Sequence, residues 1–396
     1  MPGCQRCELR FGNFRLPFGV KNWIDAPSMK LADHDPSADM FRLVWALMLI
    51  CRLQSGATAF ASAPVSAATN TTIQYHSRTW QMDEGLPQNS VETLTQSKEG
   101  YLWLGTQRGL ARFDGIQFKV FDAQNTPGLK NSSITALLQG RDGSLWIGTA
   151  GGGLARLKDG TFSSYTLSDD PRGNNIKTIF QSKDGSLWVG TLGGLFHEQN
   201  GTWKRFTKQD GLGDNVVRSL CEDGDRLWIG TGFGVNILEN GVITTRNGVS
   251  EKAVRMVLKD RHGTLWFALT SGLGRLQDGQ FTLFTHLDGL ADNNVGFLYE
   301  DRRGELWIGT YGGLSRVVGE KLVTEKDSLG TYYDRVNAIS EDEEGDIWIG
   351  ARDGLFELRA KQFTSFTRQD SLAHNNVMSV LEDRKGNIWL GTWGGA

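Results

Sequence analysis

An all-β fold, a β-propeller built from four-stranded antiparallel blades, is predicted by three features of this 396-residue chain. A tryptophan recurs in nearly one phrase (LWLGT, LWIGT, LWVGT and variants) at Trp103, Trp146, Trp188, Trp228, Trp266, Trp307, Trp348 and Trp389, at steps of 43, 42, 40, 38, 41, 41 and 41 residues. An apolar residue opens a strand-like run 12 positions before it in seven units (Val91, Ile134, Ile176, Val254, Val295, Val336, Val377). In the fourth unit Val217 stands 11 before Trp228, because the turn Asp223-Gly224-Asp225 is one residue shorter. No helical stretch lies between the runs. A fixed period of this length marks a supersecondary unit that cannot bury its apolar face alone, and four short strands per period is the propeller pattern.

The first unit shows the elements in order. Val91–Thr95 is a β-type run, Lys98-Glu99-Gly100 a turn, Tyr101–Thr106 a second strand and Leu110–Phe113 a third. Asp114-Gly115 suits a two-residue type I′ hairpin, whose central residues both need positive φ, and Gln117–Phe121 then alternates apolar and polar. The same hairpin signal returns at Asp159-Gly160, Asn200-Gly201, Asn240-Gly241 and Asp278-Gly279. The repeated tryptophans are expected between neighbouring blades, as framework, where an indole buries roughly 200 Å².

Residues 72–80 precede the first unit and match a fourth strand: Trp80 lies six residues before Leu86, as Phe284 does before Leu290 and Phe366 before Leu372. If its partners are the strands of Val336–Leu358, the ring closes with seven blades and the unit at Val377 begins something new; this is the favoured reading. If its partners come from that last unit, the ring has eight. The expected organisation is thus a propeller over 72–366 and a truncated next repeat over 377–396, which ends at Trp393-Gly-Gly-Ala396 after two strands.

The 50 glycines suit many tight turns, 39% apolar content can fill a core between stacked blades, and the net charge of −3 leaves no basic footprint for nucleic acid. No run of 18 apolar residues exists, so no membrane-spanning helix is expected. Residues 1–39 show neither repeat nor periodicity and read as a disordered leader or a start-site artefact. From Met40, Arg42, the apolar run Leu43–Cys51 and Ala59-Phe60-Ala61 form a secretory signal peptide over 40–61, which implies export. Cys4 and Cys7 make a lone CxxC ahead of that signal, without a second pair for zinc. Cys51 leaves with the signal, so Cys221, a small core residue of a first strand, is the one cysteine expected in the mature protein.

The phrases RTWQMDEGLPQNSV (Arg78–Val91) and YLWLGTQRGLARFDG (Tyr101–Gly115), with the repeated ED-x-x-G-x-[LI]-W-I-G-T-x-x-G-L, resemble the two-component regulator propeller family over residues 72–396. The resemblance implies a periplasmic sensing propeller of an inner-membrane-anchored regulator. It also implies a second propeller, a β-sandwich, a membrane helix and an output module, either a histidine kinase, a diguanylate cyclase or a DNA-binding domain, all outside this sequence. LWFAL at Trp266 lacks the Gly-Thr, which makes the local turn of unit five the expected departure.

Repeats also point to a site. Positions constant across units serve the scaffold, and variable positions on a shared rim are free for function. One variable set follows Trp-x-Gly-Thr and includes Arg108, Phe233, Tyr311 and Arg352; the other lies two residues before each first strand and includes Asn89, Asn174, Asn215 and Asn293. Both loops emerge on one propeller face, offering guanidinium groups, aromatic platforms and amides to a sugar or small acid. Arg108, Phe233, Tyr311, Arg352, Asn89 and Asn293 are the candidate ligand-binding residues, with an Asx-turn as the structural role of the asparagines. No nucleophile–base pair or metal-ligand spacing stands out, so no catalytic residue, metal or cofactor is assigned. The leading function is a non-catalytic ligand sensor, with a small molecule or glycan, the membrane-linked output module and a second copy of the chain as candidate partners. A propeller lyase or glycosidase and a protein-interaction scaffold are the alternatives.

Overall fold

The computed structural model describes residues 75–199, 201–249, 252–326, 331–360, 373–382 and 388–393. Residues 1–61, with the expected leader and signal peptide, lie outside these, as do Asn200, Phe366 and Leu372. One compact unit runs Ile73–Lys361. It holds seven four-stranded antiparallel sheets, a seven-bladed propeller. Blade one is Val91–Gln96, Leu102–Thr106, Gly109–Phe113 and Phe118–Phe121, and blades two to six repeat this order through Lys321–Glu325. Blade seven takes Val336–Glu341, Ile347–Ala351 and Leu355–Ala360 from the end of the unit and Tyr75–Trp80 from its start. The closing strand runs antiparallel to the third, Tyr75 opposite Ala360 and Trp80 opposite Leu355. Separately, Val377–Glu382 and Ile388–Thr392 form a two-stranded sheet of their own, so the eight-bladed reading is set aside.

Each part of the repeated phrase has a physical task. Every tryptophan from Trp103 to Trp348 packs with the following blade: Trp103 with Ile134 and Ile147, Trp188 with Val217 and Ile229, Trp348 with Val91 and Leu104. The glycine two residues on lets the blades approach. A Cβ on Gly148 would come 2.5 Å from Ile176 Cγ2, and one on Gly190 2.7 Å from Val217 Cγ1. The threonine closes the next loop, its hydroxyl donating to the carbonyl of Gly109, Gly194 or Gly313 at 2.8–2.9 Å. In blades five, six and seven the aspartate six residues before the tryptophan accepts its indole N–H, at 2.8, 3.0 and 2.7 Å for Asp260, Asp301 and Asp342. These acids are therefore not the surface features that their place at strand ends suggests; Asp301 is 1% exposed.

Two local expectations need correction. In blade five Ala268 replaces the glycine and is fully buried, yet the loop after it keeps the same form, with Leu269 paired to Gly272 as Thr310 is to Gly313. The departure is chemical and leaves the turn intact. Among the third hairpins, Asp159, Asn240 and Asp278 take φ of 50°, 51° and 51° ahead of their glycines, as a type I′ turn requires. Asp114 does not; its carboxylate instead accepts the amides of Ile116 and Gln117 at 2.9 and 2.8 Å.

On one face, the turns between first and second strands link neighbouring blades. The amides of Arg141, Lys183, Arg261, Arg302 and Glu343 each donate to a Gln or Glu ending the next blade's first strand: Gln181, Glu222, Glu300, Glu341 and, across the closure, Gln96. Blade one reaches blade two through Lys98 Nζ and the Arg141 carbonyl, 2.8 Å. Between blades four and five the pattern inverts. The shortened turn Asp223–Asp225 leaves no residue for the usual amide, and Lys259 stands where other blades carry the acceptor. Lys259 Nζ reaches back to Asp223 Oδ1 at 2.5 Å, an ion pair in place of an amide bond. Cys221 is half-buried nearby, and burial pushes its thiol up to about 11.

Candidate functional site

The two variable loop sets are welded together on the opposite face. The residue after Trp-x-Gly-Thr donates its amide to the carbonyl just before, or two before, the same blade's first strand: Ala150 to Ser133 at 2.9 Å, Leu192 to Asn175 at 3.1 Å, Gly232 to Val216 at 2.8 Å, Tyr311 to Asn294 at 3.0 Å and Arg352 to Asp334 at 3.0 Å. The non-repeating residues of different blades therefore surround one opening.

The asparagines have a different task from the one expected. Asn89 Oδ1 accepts the amide of Met82 at 2.8 Å, Asn215 that of Lys208 at 2.8 Å, and Asn293 that of His286 at 2.7 Å. Each acceptor thus fastens a short 3₁₀ turn that leads into its own blade. The Asx-turns are made one residue earlier, where Asp214 and Asp292 accept the amides of Val216 and Asn294 at 2.6 and 2.7 Å. Asn89 and Asn293 thus serve the scaffold with their side-chain oxygens.

Arg108 is exposed on the rim of blade one, Phe233 is 57% exposed on blade four, and the Arg352 side chain is 67% exposed with Asp334 3.9 Å away. Tyr311 is placed differently. Its ring leans over Gly296, whose missing Cβ would lie 3.7 Å from it, and it receives Arg255 at 4.3 Å and Arg335 at 4.2 Å from its centroid. Both guanidinium groups sit at cation–π distance from one ring. Tyr311 is thus the one candidate that the structure brings into a cluster, and its partners were not among the residues singled out from the sequence.

Those partners belong to the channel wall. Every first strand carries a bulge at the same place, between Val91 and Thr93 in blade one and between the equivalent residues of the other six. A bulge re-aims the extra side chain. That position holds Glu92, Thr135, Lys177, Arg218, Arg255, Gly296 and Asn337 in order. Since the first strands of successive blades contact one another around the ring, these residues line its centre. Thr135 and Asn337 reach across to the carbonyls of Ile176 and Val91, 2.7 and 3.0 Å away. Burial, and then the Arg218 guanidinium, holds the Lys177 amine below its ordinary value; burial and then Arg255 do the same to Arg218. The sequence signal existed: the position after the constant Val or Ile varies among repeats as freely as the loops do.

The family described as "Two component regulator propeller" matches residues 85–108, 128–151, 170–193, 211–233, 289–312 and 371–394. No curated protein matches the chain in sequence. Among solved structures, the chain is similar to an extracellular domain described as that of a hybrid two component system from B. thetaiotaomicron, at 23% identity and a TM-score of 0.65 over 81% of this chain and 47% of that one. A second such domain from the same organism gives 21% and 0.60 over 81% and 44%. The chain thus spans less than half the length of either. Virginiamycin B lyase from Staphylococcus aureus gives 15% and 0.58 over 72% of this chain and 99% of that one. At these identities the likeness is one of fold.

Proposed function

Because the chain belongs to the two-component regulator propeller family, we propose that Tyr75–Ala360 is the exported, ligand-sensing module of a membrane-anchored regulator. The observation that carries this reading is the weld between the two loop sets, which gathers variable residues of separate blades around one opening. Arginine binds carboxylate or sulfate groups through two parallel hydrogen bonds, and Tyr311 and Phe233 offer flat apolar surface to a sugar ring or small acid. The guanidinium groups of Arg218, Arg255 and Arg335 favour binding over turnover, because they hold a fixed charge, whereas general acid–base catalysis needs a group that exchanges protons near working pH.

The test is calorimetric titration of the chain with acidic oligosaccharides and small organic acids. Arg108→Ala and Arg352→Ala are each expected to weaken the cognate ligand about tenfold, the value of one charge-assisted contact. Both side chains are exposed, so melting temperature should hold. A ligand indifferent to Arg108, Tyr311 and Arg352 would move the site elsewhere, and conversion of the ligand to product would replace the sensor with an enzyme. Export has its own check. Cell fractionation should find a mature protein beginning near residue 62 outside the cytoplasm, and a product starting at Met1 and retained inside would overturn that part.

A further inference from the structure

The channel wall concentrates positive charge in a chain whose net charge is −3. Lys177, Arg218 and Arg255 come from three consecutive blades at one bulge position. Arg335, at the entrance to blade seven, adds a fourth cation beside Tyr311, the ring that Arg255 also approaches. Glu92, the acid among the bulge residues, already accepts from Ser90 Oγ at 3.0 Å and Gln107 Nε2 at 3.3 Å. Of the acids nearest on the rim, Asp214 and Asp292 are held by turn amides.

Three features of this cluster work against folding. Like charges are gathered on one wall, with Lys177, Arg218 and Arg255 at the same bulge position of consecutive blades and Arg255 and Arg335 both at the Tyr311 ring. The Nε atoms of Arg218 and Arg335 are buried and have no hydrogen-bond partner among the described residues, although a buried donor without an acceptor is unfavourable. Arg335 also holds φ at +40°, a left-handed conformation that residues other than Gly, Asn and Asp seldom take. Strain of this kind persists where surrounding structure enforces it, and it clusters at ligand clamps. A bound anion would relieve the repulsion and supply the missing acceptors at once.

We infer that the channel mouth formed by blades four to seven binds a small ligand bearing at least two negative charges, with Arg218, Arg255 and Arg335 as its hydrogen-bond donors and Tyr311 as their platform. Two charges are required because three guanidinium groups line this mouth, with Lys177 on the blade next to Arg218, and a single charge would leave most of that repulsion in place. The inference rests on the reading that this face is the binding face, and adds the charge of what it binds. The exposed Arg108 and Arg352 would then meet the remainder of the ligand at the rim.

The test uses the whole chain and defined probes: sulfate, phosphate, pyrophosphate and succinate against acetate, at constant ionic strength, followed by calorimetry. Affinity should rise from acetate to the divalent probes and again to pyrophosphate. Sulfate and phosphate binding without succinate would identify a tetrahedral ester group, and succinate binding a dicarboxylate. Arg218→Gln and Arg255→Gln should each weaken binding at least tenfold. Arg335→Gly should weaken it equally while raising the melting temperature, because glycine accepts the left-handed backbone without strain; a lost fold cannot mimic that pair of results. Equal binding of acetate and pyrophosphate, no binding of any divalent probe, or full affinity in the Arg335→Gly variant would each overturn the inference. None of these outcomes bears on the sensing reading, which stands or falls on the ligand titration with Arg108 and Arg352.

Discussion

Deleting Tyr75–Trp80 is expected to abolish cooperative folding of the ring. The segment supplies the whole fourth strand of blade seven, paired residue for residue with Leu355–Ala360. It also carries side chains that no other segment replaces. Trp80 is 3% exposed, with Trp348 stacked at 5.3 Å and Phe113 edge-on at 5.2 Å. Tyr75 meets Trp307 edge-on at 5.6 Å. Loss of one buried tryptophan alone costs about 3–5 kcal/mol, and whole domains are stable by only about 5–15 kcal/mol. The shortened chain should lose its near-ultraviolet dichroism and its sharp melting transition, and should aggregate through the exposed third strand. Trp80→Ala separates packing from pairing, and should melt lower but still cooperatively. A deletion that melts within a few degrees of the intact chain would mean that the ring does not depend on this closure.

Trp307→Ala is expected to be the costliest single substitution among the repeated tryptophans, about 5 kcal/mol, the upper end for a buried aromatic. Trp307 has no exposed surface, and its indole N–H donates to Asp301 Oδ2 at 3.0 Å. Its removal leaves that nearly buried carboxylate with its turn amides but without the indole. Trp188→Ala should cost nearer about 3 kcal/mol. Trp188 is 8% exposed, stacks on His197 at 3.7 Å, and has Ser182 where blade six has its aspartate. Urea denaturation of both variants reads the difference. Equal losses would show that the aspartate anchor adds nothing, and a loss under about 1 kcal/mol at Trp188 would contradict its place between blades.

The scaffold is legible in the sequence because its physics is repeated. The spacing of Val91, Trp103 and their equivalents reports strand order, and Trp80 with Leu86 reports the closing strand. The site is less legible for two reasons. The alternation of a strand does not announce a bulge, so at Ile176-Lys177 or Val217-Arg218 the variability of the second residue marks it as free of the scaffold, and only the pairing shows that it turns to the axis. Side-chain reach is also invisible. Asn293 lies next in sequence to a strand entrance, yet its oxygen serves an amide seven residues back, and Tyr311 leans inward while Arg352 at the same repeat position points to solvent.

The inverted contact between blades four and five has a consequence of its own. At each other described joint on that face a backbone amide or carbonyl takes part, even where an ion pair such as Arg261 with Glu300 stands beside it, whereas this contact is two side-chain charges and should weaken with acid and with salt. The Lys259 ammonium holds the Asp223 carboxyl below its usual range, so the link is intact above the unfolded value and fails as pH falls through the folded one. Blades four and five stay joined by the packing of Trp228 against Val254 and Phe267, so loss of the ion pair would loosen this edge of the joint without opening the ring. The same two blades bear Arg218 and Arg255, so an anion lodged between the two arginines would tie them together from the opposite face. Acid would loosen one edge of this joint while a bound anion braces the other, so the two conditions act on the same pair of blades in opposite directions.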